Sequence, residues 1–195
     1  MLNQIVAEEL YADKLFWFEL SSVKKVLLTI VVTTTILSVM VSKLQTELKQ
    51  NKPFGSIEEE VLLNLARTAE VVSSALAIVL KQADLTGTQY NALRILRGAG
   101  SDGLSCGEVG ERMVTKDSDI TRLLDRLESR GLISRERPAN NRRTVIARIT
   151  DEGLRVLADL DEPVSQSNRR IAGHLGKEWL ETLNTLLEDL RSNLI

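Results

Sequence analysis

The chain has 195 residues, enough for one domain of ordinary size with extensions, and its formal net charge of −2 excludes a uniformly basic protein that coats nucleic acid. One cysteine and one histidine allow no internal disulfide, no cluster of zinc ligands and no assembled pair of nucleophile and base. These counts predict a protein without cofactor or metal that is not an enzyme, in a reducing cytoplasmic setting.

Residues 1–52 are predicted to be an N-terminal extension, and three interpretations of it stay open. Val26 to Ser42 carries no charge, yet it is shorter than the roughly 20 residues that a membrane-spanning helix needs. The extension is a membrane tether, an additional packed element whose β-branched residues are typical of a strand, or translated sequence upstream of a natural start at Met40. We favour the third interpretation on grounds of economy, so membrane association is the less favoured one.

Residues 53–84 are predicted to form a dimerisation helix. Ser56 followed by Glu59 is a capping box, which marks the start of a helix. The apolar residues that follow recur at spacings of three and four and form one long stripe: Ile57, Val61, Leu65, Ala69, Val72, Leu76, Val79 and Leu80. A stripe of this length needs an apolar partner.

A second capping box, Thr86 with Gln89, predicts a helix that runs to about Arg97. The segment Gly98 to Gly103 then matches the glycine string of dinucleotide sites, but such a site needs a strand before the glycines, whereas a helix precedes them here. We interpret this segment as a flexible loop.

A third capping box, Ser105 with Glu108, opens a short helix. A fourth helix follows after a tight turn, with Asp117 or Ser118 as its cap and Gly131 at its end. Its buried face is predicted to be Ile120, Leu123, Leu124 and Leu127. A short helix, a tight turn and a second helix are typical of a helix-turn-helix.

Two extended runs, residues 132–137 and 144–149, are joined by a turn-rich, basic segment and predict a β-hairpin. A hairpin directly after a helix-turn-helix is a wing, so residues 85–150 form the predicted DNA-binding domain. Thr150 then caps a further helix, and residues 151–195 are predicted to be C-terminal dimerisation helices. Their apolar stripe is Trp179, Leu183, Leu186, Leu187, Leu190 and Leu194. The predicted fold is mainly α (α+β), a winged helix-turn-helix with long dimerisation helices at both ends.

Basic residues concentrate in the predicted DNA-binding domain, with twelve Lys and Arg against eight Asp and Glu between Leu85 and Thr150. Arg122 is the best candidate for reading a base in the major groove, and Arg142 and Arg143 suit the minor groove. The predicted DNA-binding residues are Thr115, Lys116, Asp117, Ser118, Asp119, Thr121, Arg122, Arg126, Arg137, Asn141, Arg142 and Arg143. The two aspartates have capping as a competing role.

From Leu85 to about Leu157 the chain resembles the MarR family of bacterial regulators, above all in the segments DITRLLDRLESRGLI (residues 119–133) and RTVIARITDEG (residues 143–153). The resemblance implies an obligate homodimer on a palindromic site in double-stranded DNA, with each wing in the minor groove. It also implies small anionic or phenolic ligands that bind between the dimerisation and DNA-binding regions and weaken DNA affinity.

The wing departs from the family pattern at one position. Where the family has Asp-x-Arg, this chain has Asn141-Arg142-Arg143, so Arg143 takes the groove role without a carboxylate to steady it. The sequence thus predicts a dimeric, sequence-specific transcriptional regulator, a repressor released by a small ligand. The alternative is a membrane-tethered or protein-binding winged-helix module that does not bind DNA.

Overall fold

The computed structural model describes residues 42–115, 119–137 and 144–192. Within these ranges the helices are α1 Lys43–Glu47, α2 Ile57–Leu80, α3 Gly87–Ala99, α4 Cys106–Arg112, α5 Ile120–Ser129, α6 Asp151–Ala172 and α7 Lys177–Ser192. The strands are β1 Leu104–Ser105, β2 Ile133–Glu136 and β3 Ile146–Ile149. A largely helical chain with a small sheet confirms the predicted fold class.

The chain forms two compact units, residues 1–66 and residues 67–195. In the first unit, Ser42 caps α1 by accepting a hydrogen bond from the backbone N–H of Gln45 at 3.1 Å, and Leu44 is buried. The predictions for residues 1–41 lie outside the described residues. The predicted division at residues 52, 84 and 150 stays a prediction.

Helices α2, α3, α4 and α6 begin where the caps in the sequence predict. At the start of α2, the Ser56 hydroxyl accepts from the Glu59 N–H at 3.2 Å, while the Glu59 carboxylate accepts from Gly55 at 2.7 Å. The capping boxes of α3 and α4 are complete, with both reciprocal hydrogen bonds present. Thr150 caps α6 through the N–H of Gly153 at 3.1 Å. Local side-chain chemistry therefore sets these boundaries.

The glycine segment between α3 and β1 is not the flexible loop that the sequence predicted. Gly98 and Ala99 complete α3, and Gly100–Asp102 forms a 3-10 turn. Gly103 has a φ of 68°, and a Cβ on it would lie 2.5 Å from the carbonyl oxygen of Ala147. Only glycine fits there, because the backbone of β3 passes directly against it.

The cap of α5 lies later than predicted. Asp119, rather than Asp117 or Ser118, accepts from the N–H of Arg122 at 3.0 Å. Asp117 and Ser118 lie outside the described residues. The end of the helix is as predicted, because Gly131 follows it with a left-handed φ of 69°. Three of the four predicted core positions are buried, and the fourth is half-buried.

The sheet is antiparallel with strand order β1-β3-β2. In the hairpin, Ile133 pairs with Ile149 and Glu136 pairs with Ile146. Strand β1 was not predicted from the sequence; it has two residues, and its Leu104 pairs with Ala147. A third strand, from between α3 and α4, thus lies beside the half of β3 that is nearer the tip of the hairpin.

The core lies within the second unit, where α3, α4, α5, α6 and the sheet meet. Its fully buried side chains include Leu93, Leu96, Leu124, Leu127 and Leu157. Full burial of a leucine side chain contributes roughly 1.5–3 kcal/mol relative to leaving it exposed. The winged helix therefore completes its own core within one chain.

The long helices α2 and α7 instead expose apolar side chains. Ile78 is 74% exposed in α2, and Trp179 is 69% exposed in α7. By length and composition alone, the helical stretch Ile57–Ala83 is apolar enough to cross a membrane. These side chains form apolar surface that stays exposed on the single chain.

Candidate nucleic-acid interface

The outer face of α5 is polar because its buried leucines alternate with exposed residues at helical spacing. Thr121, Arg122 and Arg126 are exposed on this face. The Arg122 Nε lies 3.0 Å from an Asp119 carboxylate oxygen, and both side chains are in contact with solvent. Asp119 therefore caps α5 and also forms an ion pair with Arg122, the first exposed arginine of the helix.

Arg126 lies one turn further along α5. Among the described residues it has no ion-pair partner, and its side chain faces solvent. Together with Arg122, Thr86 and Thr88 it lines a groove of about 230 Å³ between the start of α3 and the face of α5. Asp119 lines this groove as well, and the hydroxyls of Thr86 and Thr88 are hydrogen-bonded to each other at 3.0 Å. The two guanidinium groups are therefore the main donors that the groove offers to an anionic group such as a phosphate oxygen.

Arg135 of β2 pairs with both acidic residues of α5, and its single positive charge offsets one of their two negative charges. The Arg135 guanidinium lies 2.6 Å from a carboxylate oxygen of Asp125 and 2.6 Å from one of Glu128. The backbone N–H of Arg135 also donates to the Glu128 carboxylate, at 3.1 Å. The Arg135 side chain is only 18% exposed. Hydrogen bonding to Glu128 raises the pKa of Arg135 further above its ordinary value. This clamp ties α5, the second helix of the helix-turn-helix and therefore its recognition helix, to the wing. The clamp was not predicted from the sequence.

Three more arginines of the basic segment are occupied within the fold. Arg97 makes a bidentate ion pair with Asp161 of α6, and this hydrogen-bonded partner raises the pKa of Arg97. Arg148 bonds Glu136 and the Ser101 carbonyl, the latter at 2.7 Å. Arg130 donates to two backbone carbonyls. The positive charge that is free to meet DNA is therefore smaller than the residue count indicates.

A cavity of about 490 Å³ lies between α2, α3 and the turn that follows α4. Leu76 and Ala77 line it from α2, and Tyr90 and Arg94 line it from α3. The Arg94 guanidinium lies 5.7 Å from the centroid of the Tyr90 ring. An apolar cavity with one cation suits a small aromatic or apolar anion.

The sequence pattern of the MarR family matches residues 85–145. A crystal structure of a MarR transcription factor from Planctomyces limnophilus is 40% identical, covers 69% of this chain and 98% of that chain, and has a TM-score of 0.55. The chain belongs to the MarR family. It is a transcriptional regulator with a winged-helix DNA-binding fold.

Two other MarR-type proteins are similar over most of their length. The HTH-type transcriptional regulator FarR of Neisseria gonorrhoeae is 28% identical over 138 residues, which are 71% of this chain and 93% of FarR. The structure of NadR in complex with 4-hydroxyphenylacetate is 27% identical, covers 71% of this chain and 97% of that chain, and has a TM-score of 0.58.

The structure of this MarR-family chain brings some predicted site residues together on one side. Asp119, Thr121, Arg122 and Arg126 share the start and outer face of α5. Thr115 and Arg137 are both exposed, one after α4 and the other after β2. The remaining predicted residues lie outside the described ranges: Lys116, Asp117, Ser118, Asn141, Arg142 and Arg143.

Proposed function

We propose that this regulator is a homodimer that binds a palindromic operator in double-stranded DNA and represses transcription until a small ligand releases it. The exposed face of α5 carries this proposal, because it offers Arg122 and Arg126 while Arg135 offsets one of the two neighbouring negative charges. A helix with such a face fits the major groove. Access to chromosomal DNA places the protein in the cytoplasm.

The homodimer is supported by the apolar side chains that α2 and α7 expose. Val71 and Ile78 are exposed in α2, and Trp179, Leu183 and Leu186 are exposed in α7. Covering them with a second copy removes apolar area from water, which stabilises association. A two-fold dimer carries two recognition helices and therefore reads a palindromic site.

In the proposed complex, Arg122 exchanges Asp119 for a guanine. An exposed ion pair contributes about 0–1 kcal/mol, whereas a good bidentate arginine-guanine pair contributes about 1–3 kcal/mol of discrimination. The exchange is therefore favourable at the right base. Asp119 keeps its capping bond to the backbone N–H of Arg122. It therefore stays in place when the Arg122 guanidinium moves to the base.

The tip of the wing supplies the minor-groove contacts in this proposal. In this proposal, Arg142 and Arg143 neutralise phosphates and enter the minor groove. The described part of the wing supports this role because β1 and the Arg135 clamp hold its two strands against the rest of the winged helix.

The cavity beside Arg94 is the proposed ligand site. NadR, at 27% identity, is known in complex with 4-hydroxyphenylacetate, a phenolic carboxylate. In this chain, Arg94 would pair with the carboxylate while Tyr90 and Leu76 contact the ring. Because Val114 and Thr115 also line the cavity, a ligand there would press on the turn that leads into α5.

Fluorescence anisotropy with the full-length protein tests the proposal. The probes are a duplex selected from a random pool by the protein itself and a scrambled duplex, each at two salt concentrations. We expect tight, salt-sensitive binding to the selected duplex only. Arg122→Ala should lose about 1–3 kcal/mol at one base position, and Arg143→Ala should lower the salt slope at every sequence.

Arg155→Ala is the matched control, because Arg155 is an exposed α6 residue that pairs only with Glu152 among the described residues. A verified dimer that binds selected and scrambled duplexes equally would contradict the proposal. So would equal losses from Arg122→Ala and Arg155→Ala.

The apolar helix Ile57–Ala83 favours a second candidate, a membrane-associated module. Flotation of the full-length protein with lipid vesicles distinguishes the two. Protein that floats with the vesicles would support membrane association, and protein that stays at the bottom as a dimer would remove that candidate.

A further inference from the structure

The turn that follows the recognition helix is bonded to the end of α2. Arg130 occupies this turn, directly after α5, and its guanidinium donates to the carbonyl oxygens of Ala83 at 2.9 Å and Asp84 at 2.5 Å. These carbonyls lie where the α2 segment ends in a left-handed Asp84 with a φ of 50°. Because both bonds are charge-assisted and come from one planar group, they fix the orientation of this turn relative to Ala83 and Asp84 as well as the distance between them.

The same turn is bonded on its other side to the start of α6. The Thr150 hydroxyl donates to the Gly131 carbonyl at 2.7 Å, and the Thr150 N–H donates to the Leu132 carbonyl at 3.1 Å. In the first turn of α6, a Cβ on Gly153 would lie 2.3 Å from the Leu132 carbonyl oxygen. Helix α6 thus approaches this turn at backbone contact, with no space between them for a side chain.

We infer that this junction, Arg130 to Leu132, sets the angle between each recognition helix and the dimerisation helices, and so determines which half-site spacing the dimer accepts. Arg130 is the positioning residue on the α2 side, and Thr150 and Gly153 fix the α6 side. The inference rests on the proposed function, since it assigns specificity to that same dimer.

The geometry of DNA makes such an angle decisive. One extra base pair between half-sites moves the second site by about 3.4 Å and rotates it by about 34° around the duplex. In a two-fold dimer both recognition helices share any change in the junction angle, so the change in their separation is doubled. A rigid junction therefore accepts one spacing, and a loose junction accepts several.

The test compares the full-length wild-type protein with Arg130→Ala on three duplexes. They carry two selected half-sites at the preferred spacing, one base pair closer and one base pair further apart, and a single half-site serves as reference. We expect the wild type to prefer one spacing by about tenfold and Arg130→Ala by about threefold or less, with affinity for the single half-site kept within about twofold. Arg155→Ala should behave as wild type.

Two further measurements keep the result unambiguous. Arg130→Lys retains the charge but only a point donor, so its spacing preference should be intermediate. Spin labels on Thr121→Cys in a Cys106→Ser background report the distance between recognition helices in the dimer without DNA, by double electron-electron resonance. We expect a narrow distribution in the otherwise wild-type chain and a broader one with Arg130→Ala.

An unchanged spacing preference and an unchanged distance distribution in folded Arg130→Ala would overturn the inference. A wild-type dimer without selective DNA binding would overturn the proposed function alone. The widths of the spin-label distance distributions would still test whether the junction fixes the angle of the recognition helices. A monomeric wild-type chain would overturn both.

Discussion

The winged helix and the long helices α2 and α7 place their apolar side chains in opposite environments. Leu124 and Leu127 of the winged helix are fully buried, whereas Ile78 of α2 and Leu186 of α7 are mostly exposed. The helices themselves form from the same kind of apolar periodicity. The difference teaches that the winged helix closes its core within one chain, while the long helices leave apolar side chains exposed on that chain.

The largest expected effect is on the stability of the winged helix. Leu124→Ala removes a fully buried side chain and should lower the free energy of unfolding by about 2–5 kcal/mol. Urea unfolding followed by circular dichroism measures it. Thr121→Ala on the exposed face of the same helix is the control and should change it by less than about 0.5 kcal/mol. Similar losses from both variants would mean that the core of α5 is not closed by its own chain.

The next effect is on dimerisation through the long helix α7. Leu186→Glu puts a charge into the exposed stripe of α7 and should weaken dimerisation by about 100-fold, close to 3 kcal/mol, while the winged helix stays folded. Sedimentation velocity over a dilution series measures the dimer. Asn184→Glu places the same charge about 160° around the helix and is the matched control. A dimer that tolerates Leu186→Glu would exclude α7 from the interface.

The clamp between wing and recognition helix should have a smaller effect. Arg135→Ala leaves Asp125 and Glu128 without their partner and should lower the free energy of unfolding by about 1–2 kcal/mol. DNA affinity should fall as well, because two unneutralised carboxylates then lie beside the phosphates. Adding Asp125→Asn should restore part of the affinity in an anisotropy titration. Failure of this restoration would contradict the electrostatic role of the clamp.

The smallest effect is a change in pH dependence. The side chain and backbone of Ser105 donate hydrogen bonds to Glu108, and they lower the pKa of its carboxyl. The ionised cap therefore stabilises the fold fully above the ordinary pKa of glutamate and ceases to do so as the pH falls through the lowered value. Glu108→Gln should flatten the dependence of unfolding on pH from the ordinary pKa of glutamate, about 4.3, downward.

Glu111→Gln is the matched control for this titration, because it removes one carboxylate from the same helix and leaves the cap intact. Equal flattening by the two variants in urea unfolding at several pH values would contradict the role assigned to the cap.

Those parts of the fold that local chemistry determines could be predicted from the sequence. Thr86, Ser105 and Thr150 each cap a helix because the bonds that start a helix join residues three positions apart. The cap of α5 was misplaced because Asp117, Ser118 and Asp119 are all good capping residues in a row. The spacing of residues in the sequence does not show which of three adjacent capping residues is the N-cap.

The roles of the arginines could be predicted only in part. Arg122 and Arg126 follow from helical periodicity, since they lie opposite the buried leucines. Arg130 and Arg135 were counted only as positive charge, yet they hold Asp84 and Glu128. Their partners come from other elements, and a count of charges contains no information on which element lies beside which. The cavity beside Arg94 escaped notice for the same reason.

The two-residue strand β1 has a consequence for the order in which the fold assembles. Strands β2 and β3 are neighbours in the chain, so their hairpin closes a short loop, whereas β1 must meet β3 across more than forty residues. Long-range closure comes at a larger entropic cost and tends to come late. We expect substitutions in β1 to speed unfolding and leave the folding rate nearly unchanged, so that the wing locks into place in the last step of folding.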